Sequence, residues 1–212
     1  MRNNSFILHQ YFNSLKRYSF NELDTIKELN GIYILFEKGE KFADMDRVVL
    51  VGTHNRQNGL VKRLAEHIKH NKDRSILRKH IGRAILNRND QQELLKQWDL
   101  DLTNRKSYEY WNDKLDYIGL DIIEQVVSYY VQKNLTFAII PFETAQERSL
   151  WKSRIIATLA KANVLVNGAV MSSEGWLGKF ATNANIVKRG MWVVQNLGGE
   201  ELTDEEVDDL IK

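Results

Sequence analysis

Gly31-Ile32-Tyr33-Ile34-Leu35-Phe36, followed after a charged interval by Arg47-Val48-Val49-Leu50-Val51-Gly52-Thr53-His54, is the stretch on which the fold turns. Both runs are compact, apolar and rich in β-branched residues, and Glu37-Lys38-Gly39-Glu40-Lys41 between them reads as a turn. The pair predicts a β hairpin. A polar loop, Asn55 to Gly59, leads into Leu60-Val61-Lys62-Arg63-Leu64-Ala65-Glu66-His67, where Leu60, Leu64 and Ile68 mark the buried face of a helix. Tyr33, His54, Arg63 and His67 therefore sit on short elements able to converge, and they are groups that handle a proton and a phosphate.

Outward from the hairpin, residues 5–28 read as helical, with Phe6, Leu8, Tyr11-Phe12, Leu15 and Tyr18 near helical spacing and Asn21 capping a second short turn. Ser75 caps a helix whose apolar face is Ile76, Leu77, Ile81, Ala84 and Ile85, with Arg78, Lys79 and Arg83 elsewhere on it. Residues 90–134 form a charged helical insertion with a long element near Asp116–Gln132, and Leu135–Pro141 is a third strand. Thr144 and Glu147 make a capping box for a helix to about Lys161, and Thr203 with Glu206 makes another. Gly168, Gly175 and Gly178 punctuate a loop-rich end in which Trp176 and Trp192 are packing anchors. The expected fold class is α/β: a small central mixed or antiparallel sheet flanked by helices. Residues 1–199 read as one domain, with a helical lead over 1–28, followed by an acidic helix or tail over 200–212.

The chain has 212 residues, 43% of them hydrophobic and 27% charged, which fits a globular domain and argues against disorder. With no cysteine, disulfides and thiolate metal sites are excluded. No run is long enough to span a membrane, and Met1-Arg2-Asn3-Asn4-Ser5 lacks a signal peptide's apolar core, so a soluble cytoplasmic protein is expected. The net charge of +2 conceals a division. Nine Lys/Arg fall between Val61 and Arg88 against Glu66 and Asp73, whereas Glu200, Glu201, Asp204, Glu205, Glu206, Asp208 and Asp209 crowd the end. Such a basic block is either a solvated helix face or a phosphate-tracking surface whose binding is salt-sensitive.

The arrangement resembles the GIY-YIG nuclease family. Gly31-Ile32-Tyr33 stands as the first motif, and Leu50-Val51-Gly52 replaces the second. Val51-Gly52-Thr53-His54, Arg63-Leu64-Ala65-Glu66-His67 and the stretch Arg74–Ala84 are similar to one branch of the family, as are Ser172 to Gly178 and Gly190 to Gln195. The resemblance implies phosphodiester hydrolysis of duplex DNA. Tyr33 would orient or deprotonate the attacking water, Arg63 would bind the scissile phosphate, and His67 or His54 would shuttle a proton. Mg²⁺ or another divalent cation would stabilise the leaving group. Lys62, Arg74, Arg78, Lys79 and Arg83 would carry nucleic-acid binding, and a homodimer would let both strands be cut. A restriction- or defence-type endonuclease is the role implied.

One position departs from the family. Its metal ligand is a glutamate in a late helix, in a pattern close to Arg-x-x-x-Glu-x-x-Ile-Ile, and this chain reads Arg148-Ser149-Leu150-Trp151-Lys152-Ser153-Arg154-Ile155-Ile156. An ammonium group cannot ligate a metal ion. At about 4 Å and an effective dielectric near 20 it repels a divalent cation by about 8 kcal/mol, a figure that shrinks if the lysine swings away. An engineered substitution, a naturally inactive member and a shifted alignment each account for Lys152. The alternatives to a disabled endonuclease are a non-catalytic DNA-binding protein with the same fold and a protein-interaction module. Each residue also has a plainer role: Tyr33 as a core residue, Arg63 as a surface helix arginine, and the histidines as packing groups. His54, His67, His70 and His80 without cysteine make no zinc site.

Overall fold

A computed structural model describes residues 2–164 and 170–212. Gly168, expected in the loop-rich end, lies outside them. The strands β1 (Tyr18–Ser19), β2 (Gly31–Phe42), β3 (Met45–Thr53) and β4 (Leu135–Pro141) form one antiparallel sheet in the order β1-β4-β2-β3. Around it are α1 (Asn4–Ser14), α2 (Leu60–Ala65), α3 (Ile76–Arg88), α4 (Gln92–Asp99), α5 (Arg105–Trp111), α6 (Tyr117–Asn134), α7 (Ala145–Ala162), α8 (Ala184–Arg189) and α9 (Asp204–Ile211). The α/β class with a helical insertion is what the sequence led to. Among the described residues no helix is long and apolar enough to cross a membrane.

The continuous apolar runs of β2 and β4 are explained by burial on both faces. Ile32, Ile34 and Phe36 of β2, with Ala138 and Ile140 of β4, join a core built with α1, α7 and α9. Tyr33 and Leu35, with Phe137 and Ile139, join a second core built with α2, α3, α4 and α6 together with Trp176 and Trp192. Successive residues thus face opposite helix layers. Val207 and Leu210 of the acidic helix α9 are buried beside Leu8 and Phe12 of α1, so its charges occupy only the outer side.

Three local expectations need correction. The lead helix stops at Ser14, and Tyr18–Ser19 pairs with Phe137 and Thr136. Tyr18 stacks on Phe137 at 5.7 Å, and the Glu22 carboxylate accepts from the Ser19 backbone N–H and hydroxyl, which fixes an extended segment where a helix was expected. Second, residues 37–41 are a bulged continuation of β2, with Gly39 at φ 88°, and the reversal comes at Ala43 (φ 51°) and Asp44. Glu37 and Glu40 are buried there rather than solvated, because Glu37 accepts from two indoles and Glu40 pairs with buried Arg47. Third, Ile76 is exposed whereas Arg78 is fully buried, reversing their expected places on α3.

Candidate active site

Tyr33 lies on β2 opposite Gly52 of β3, and its ring crosses directly over that residue. A Cβ on Gly52 would sit 2.2 Å from the Tyr33 ring, so glycine is what allows the phenol to lie flat across the neighbouring strand. Gly52→Ala is expected to push Tyr33 out of place and to cost about 1–3 kcal/mol, as overpacking does. Urea unfolding checks the cost, and a variant as stable as the parent would refute this account of Gly52.

The Tyr33 hydroxyl is 2.9 Å from His67 Nε2, and His67 Nδ1 is 2.7 Å from Ser75 Oγ. α2 ends at Ala65, and a tightened turn, with the His67 N–H donating to the Leu64 carbonyl at 3.0 Å, swings His67 inward. Two proton arrangements satisfy this chain of contacts. Ser75 Oγ accepts from the Arg78 N–H at 3.3 Å as the α3 cap and keeps a second lone pair and its own hydrogen, so it can serve His67 Nδ1 as donor or as acceptor. In the first case His67 Nε2–H donates to the Tyr33 oxygen, and in the second the phenol donates to Nε2. Burial, with Arg63 and Arg78 nearby, holds His67 well below its ordinary pKa, so the ring is neutral. Burial pushes the Tyr33 phenol up, and the Arg63 guanidinium beside it pulls the other way.

Arg63 is held by its C-terminal neighbours. One Nη1 donates to Glu66 at 2.8 Å and to the Arg74 carbonyl at 2.8 Å. Arg63 and His67, four apart, do reach the same phenol.

His54 is placed differently. The Gly31 N–H donates to its Nε2 at 3.2 Å, and its Nδ1 donates to the Arg56 carbonyl at 2.6 Å. Both nitrogens are occupied by backbone, and burial lowers its pKa with Arg148 contributing. It clips the start of β2 to the end of β3, and the proton-shuttle role expected of it would require one of these two bonds to open.

The family model for the GIY-YIG domain matches residues 11–212. The chain belongs to the GIY-YIG nuclease family. No curated protein and no solved structure matched the chain. GIY-YIG nucleases act on DNA and in general use a divalent metal ion, so the metal-ligating capacity of the centre is the next question. Among the described residues there is no group of three or more His, Asp or Glu able to hold a metal ion. Lys152 of α7 is half-buried, its pKa lowered by burial and by the charge of Arg63, which places the two cations within electrostatic reach of each other. Nearby carboxylates are committed elsewhere: Glu147 closes the capping box with Thr144, and Glu143 accepts from Asn30 at 3.3 Å. Arg148 is fully buried and donates to the Phe142 and Glu143 carbonyls, shaping the entry to α7. These residues do not fit a divalent cation.

The basic block of this GIY-YIG chain divides in two. Lys62 and Arg74 are exposed and make no ion pair among the described residues. Arg78, expected to bind nucleic acid, is instead buried. Its guanidinium donates to the Glu124 carboxylate, to Ser128 Oγ at 2.9 Å and to the His67 carbonyl at 3.0 Å, tying α6 to His67. Lys79 pairs with Asp73 and Arg83 with Asp99. Sequence reasoning missed Ser75 as the partner of His67, having read it only as a helix cap. It also missed Glu66 as the partner of Arg63, although the i,i+3 spacing signals such a pair.

Proposed function

We propose that this chain binds duplex DNA through an endonuclease centre that is complete except for its metal carboxylate, so that it engages a phosphodiester without cutting it. The observation that carries this reading is the Tyr33–His67 pair at 2.9 Å beside Arg63, with a lysine at position 152. His67 Nε2 and the Arg63 guanidinium hold the Tyr33 oxygen from two sides, which fixes the phenol where it would orient a water molecule against a bound phosphate. The open edge of the Arg63 fork is suited to a phosphate oxygen, since its planar donors match that geometry. Lys62 and Arg74 on the adjoining surface extend the contact to the backbone of the duplex. A restriction- or defence-type ancestry fits this centre, and the absence of cysteine fits work in a reducing cytoplasm.

The test compares the chain with Lys152→Glu in a plasmid-nicking assay with Mg²⁺, alongside duplex binding at several salt concentrations. The parent should bind DNA without nicking it, with affinity falling steeply as salt rises, by a log–log slope of about −0.9 per phosphate neutralised. Lys152→Glu should nick, and adding Tyr33→Phe should abolish the nicking. A parent that cuts would refute the non-catalytic half. A glutamate variant that cuts neither DNA nor RNA with any divalent metal, while still binding, would refute the endonuclease half. Absence of DNA binding, or binding indifferent to salt, would leave a protein-interaction module.

A further inference from the structure

α6 is apolar on two sides, and the fold covers only one of them. Ile123, Val127 and Val131 are buried against the sheet layer, whereas Ile118 (77% exposed), Ile122 (52%), Val126 (40%) and Tyr129 (65%) run along the outer side. Their spacing of four, four and three keeps them on one stripe of a helix about 27 Å long. A helix apolar all round is a buried helix in other proteins, so an outer stripe of this length signals a missing neighbour. The concentration is local: of the twelve large apolar residues exposed among the described residues, seven lie between Tyr108 and Tyr129.

We infer that this stripe is the docking surface for a second copy of the same chain, with the two α6 helices packed antiparallel across a two-fold axis. Charge selects that occupant. The approach and first half of α6 carry Asp113, Asp116 and Asp121 against Lys114, which is folded over the Tyr110 ring at 3.5 Å, and the last turn carries Lys133. Antiparallel pairing sets the basic end of each helix beside the acidic start of its partner, and the same patch serves both subunits, so the assembly closes at two. No lysine or arginine lies on the stripe between Ile118 and Tyr129, which disfavours a phosphate backbone as occupant. The inference does not depend on the chemistry of the Tyr33 site.

Sedimentation velocity on the full chain over a concentration series tests it, with circular dichroism confirming that each variant stays folded. The parent should show a monomer–dimer equilibrium. Ile122→Glu, and Ile118→Lys as an independent variant, should each weaken self-association by at least about tenfold. Lys133→Glu should weaken it, and Asp113→Lys added to Lys133→Glu should recover much of the loss. A parent that is monomeric up to about 100 µM would overturn the inference. So would a dimer indifferent to Ile122→Glu, or stripe variants that lose duplex binding without any change in self-association.

Discussion

Replacing Glu37 by alanine should cost the fold about 4 kcal/mol or more, whereas glutamine at the same position should cost less than about 1 kcal/mol. Glu37 is buried in the bulge of β2 at the junction of three segments that sequence separates widely. Its Oε2 accepts from the Trp176 indole at 3.0 Å and the Trp192 indole at 2.8 Å, and its Oε1 accepts from the Tyr130 hydroxyl of α6. Alanine leaves three buried donors without an acceptor and opens a cavity beneath two tryptophans. Glutamine keeps the volume. Its carbonyl oxygen can serve both indoles, while its amide donates to a Tyr130 hydroxyl turned to accept. It also removes a charge whose burial is unfavourable, as the raised pKa of Glu37 records. Urea unfolding followed by tryptophan fluorescence measures both variants. Equal losses for alanine and glutamine would overturn this account, showing that the three donors require the charged carboxylate itself and not merely an acceptor of its volume.

That hub also shows how far the sequence could be read. The hairpin, the third strand, both capping boxes and the two packing tryptophans were legible because each is a local pattern of period, cap or volume. The candidate positions Tyr33, Arg63 and His67 were picked out by motif spacing, and the structure places Arg63 and His67 against the Tyr33 phenol. What escaped depends on partners distant in sequence. Arg78 looks like any helix arginine until Glu124, 46 residues on, claims it, and Glu37 looks like a turn residue until Tyr130 and the indoles arrive. A count of charges likewise cannot separate Lys62 and Arg74, which face solvent, from Arg78, which braces His67.

Lowering the pH from 7.5 to 4.5 should remove several kcal/mol of stability, and buried histidines should account for most of it. Burial lowers the pKa of His9 and His80 from the ordinary 6.5 to about 4, and it lowers His67 well below 6.5. His9 shows why: Nδ1 is 2.8 Å from the Ser5 carbonyl, and Nε2 accepts from the Val48 N–H at 3.3 Å. A second proton would break the latter bond inside a ring stacked on Phe42. Above pH 6.5 these imidazoles are neutral in both folded and unfolded chains, and their contribution is intact. As pH falls below 6.5 the unfolded chain takes up protons that the fold refuses, so stability drops until about pH 4. Each of His9 and His80 then amounts to about 3 kcal/mol, against a typical total of about 5–15 kcal/mol. Glu37 works in the opposite sense, since its raised pKa makes it less costly as pH falls, but one carboxyl offsets only part of three histidines. His80 Nε2 has no hydrogen-bond partner among the described residues, so His80→Leu should be nearly neutral at pH 7.5. The variant should also flatten the acid limb by about 3 kcal/mol, or roughly 10 °C in thermal midpoint at pH 4.5. An acid limb as steep in His80→Leu as in the parent would move the cause of acid unfolding to the surface carboxylates.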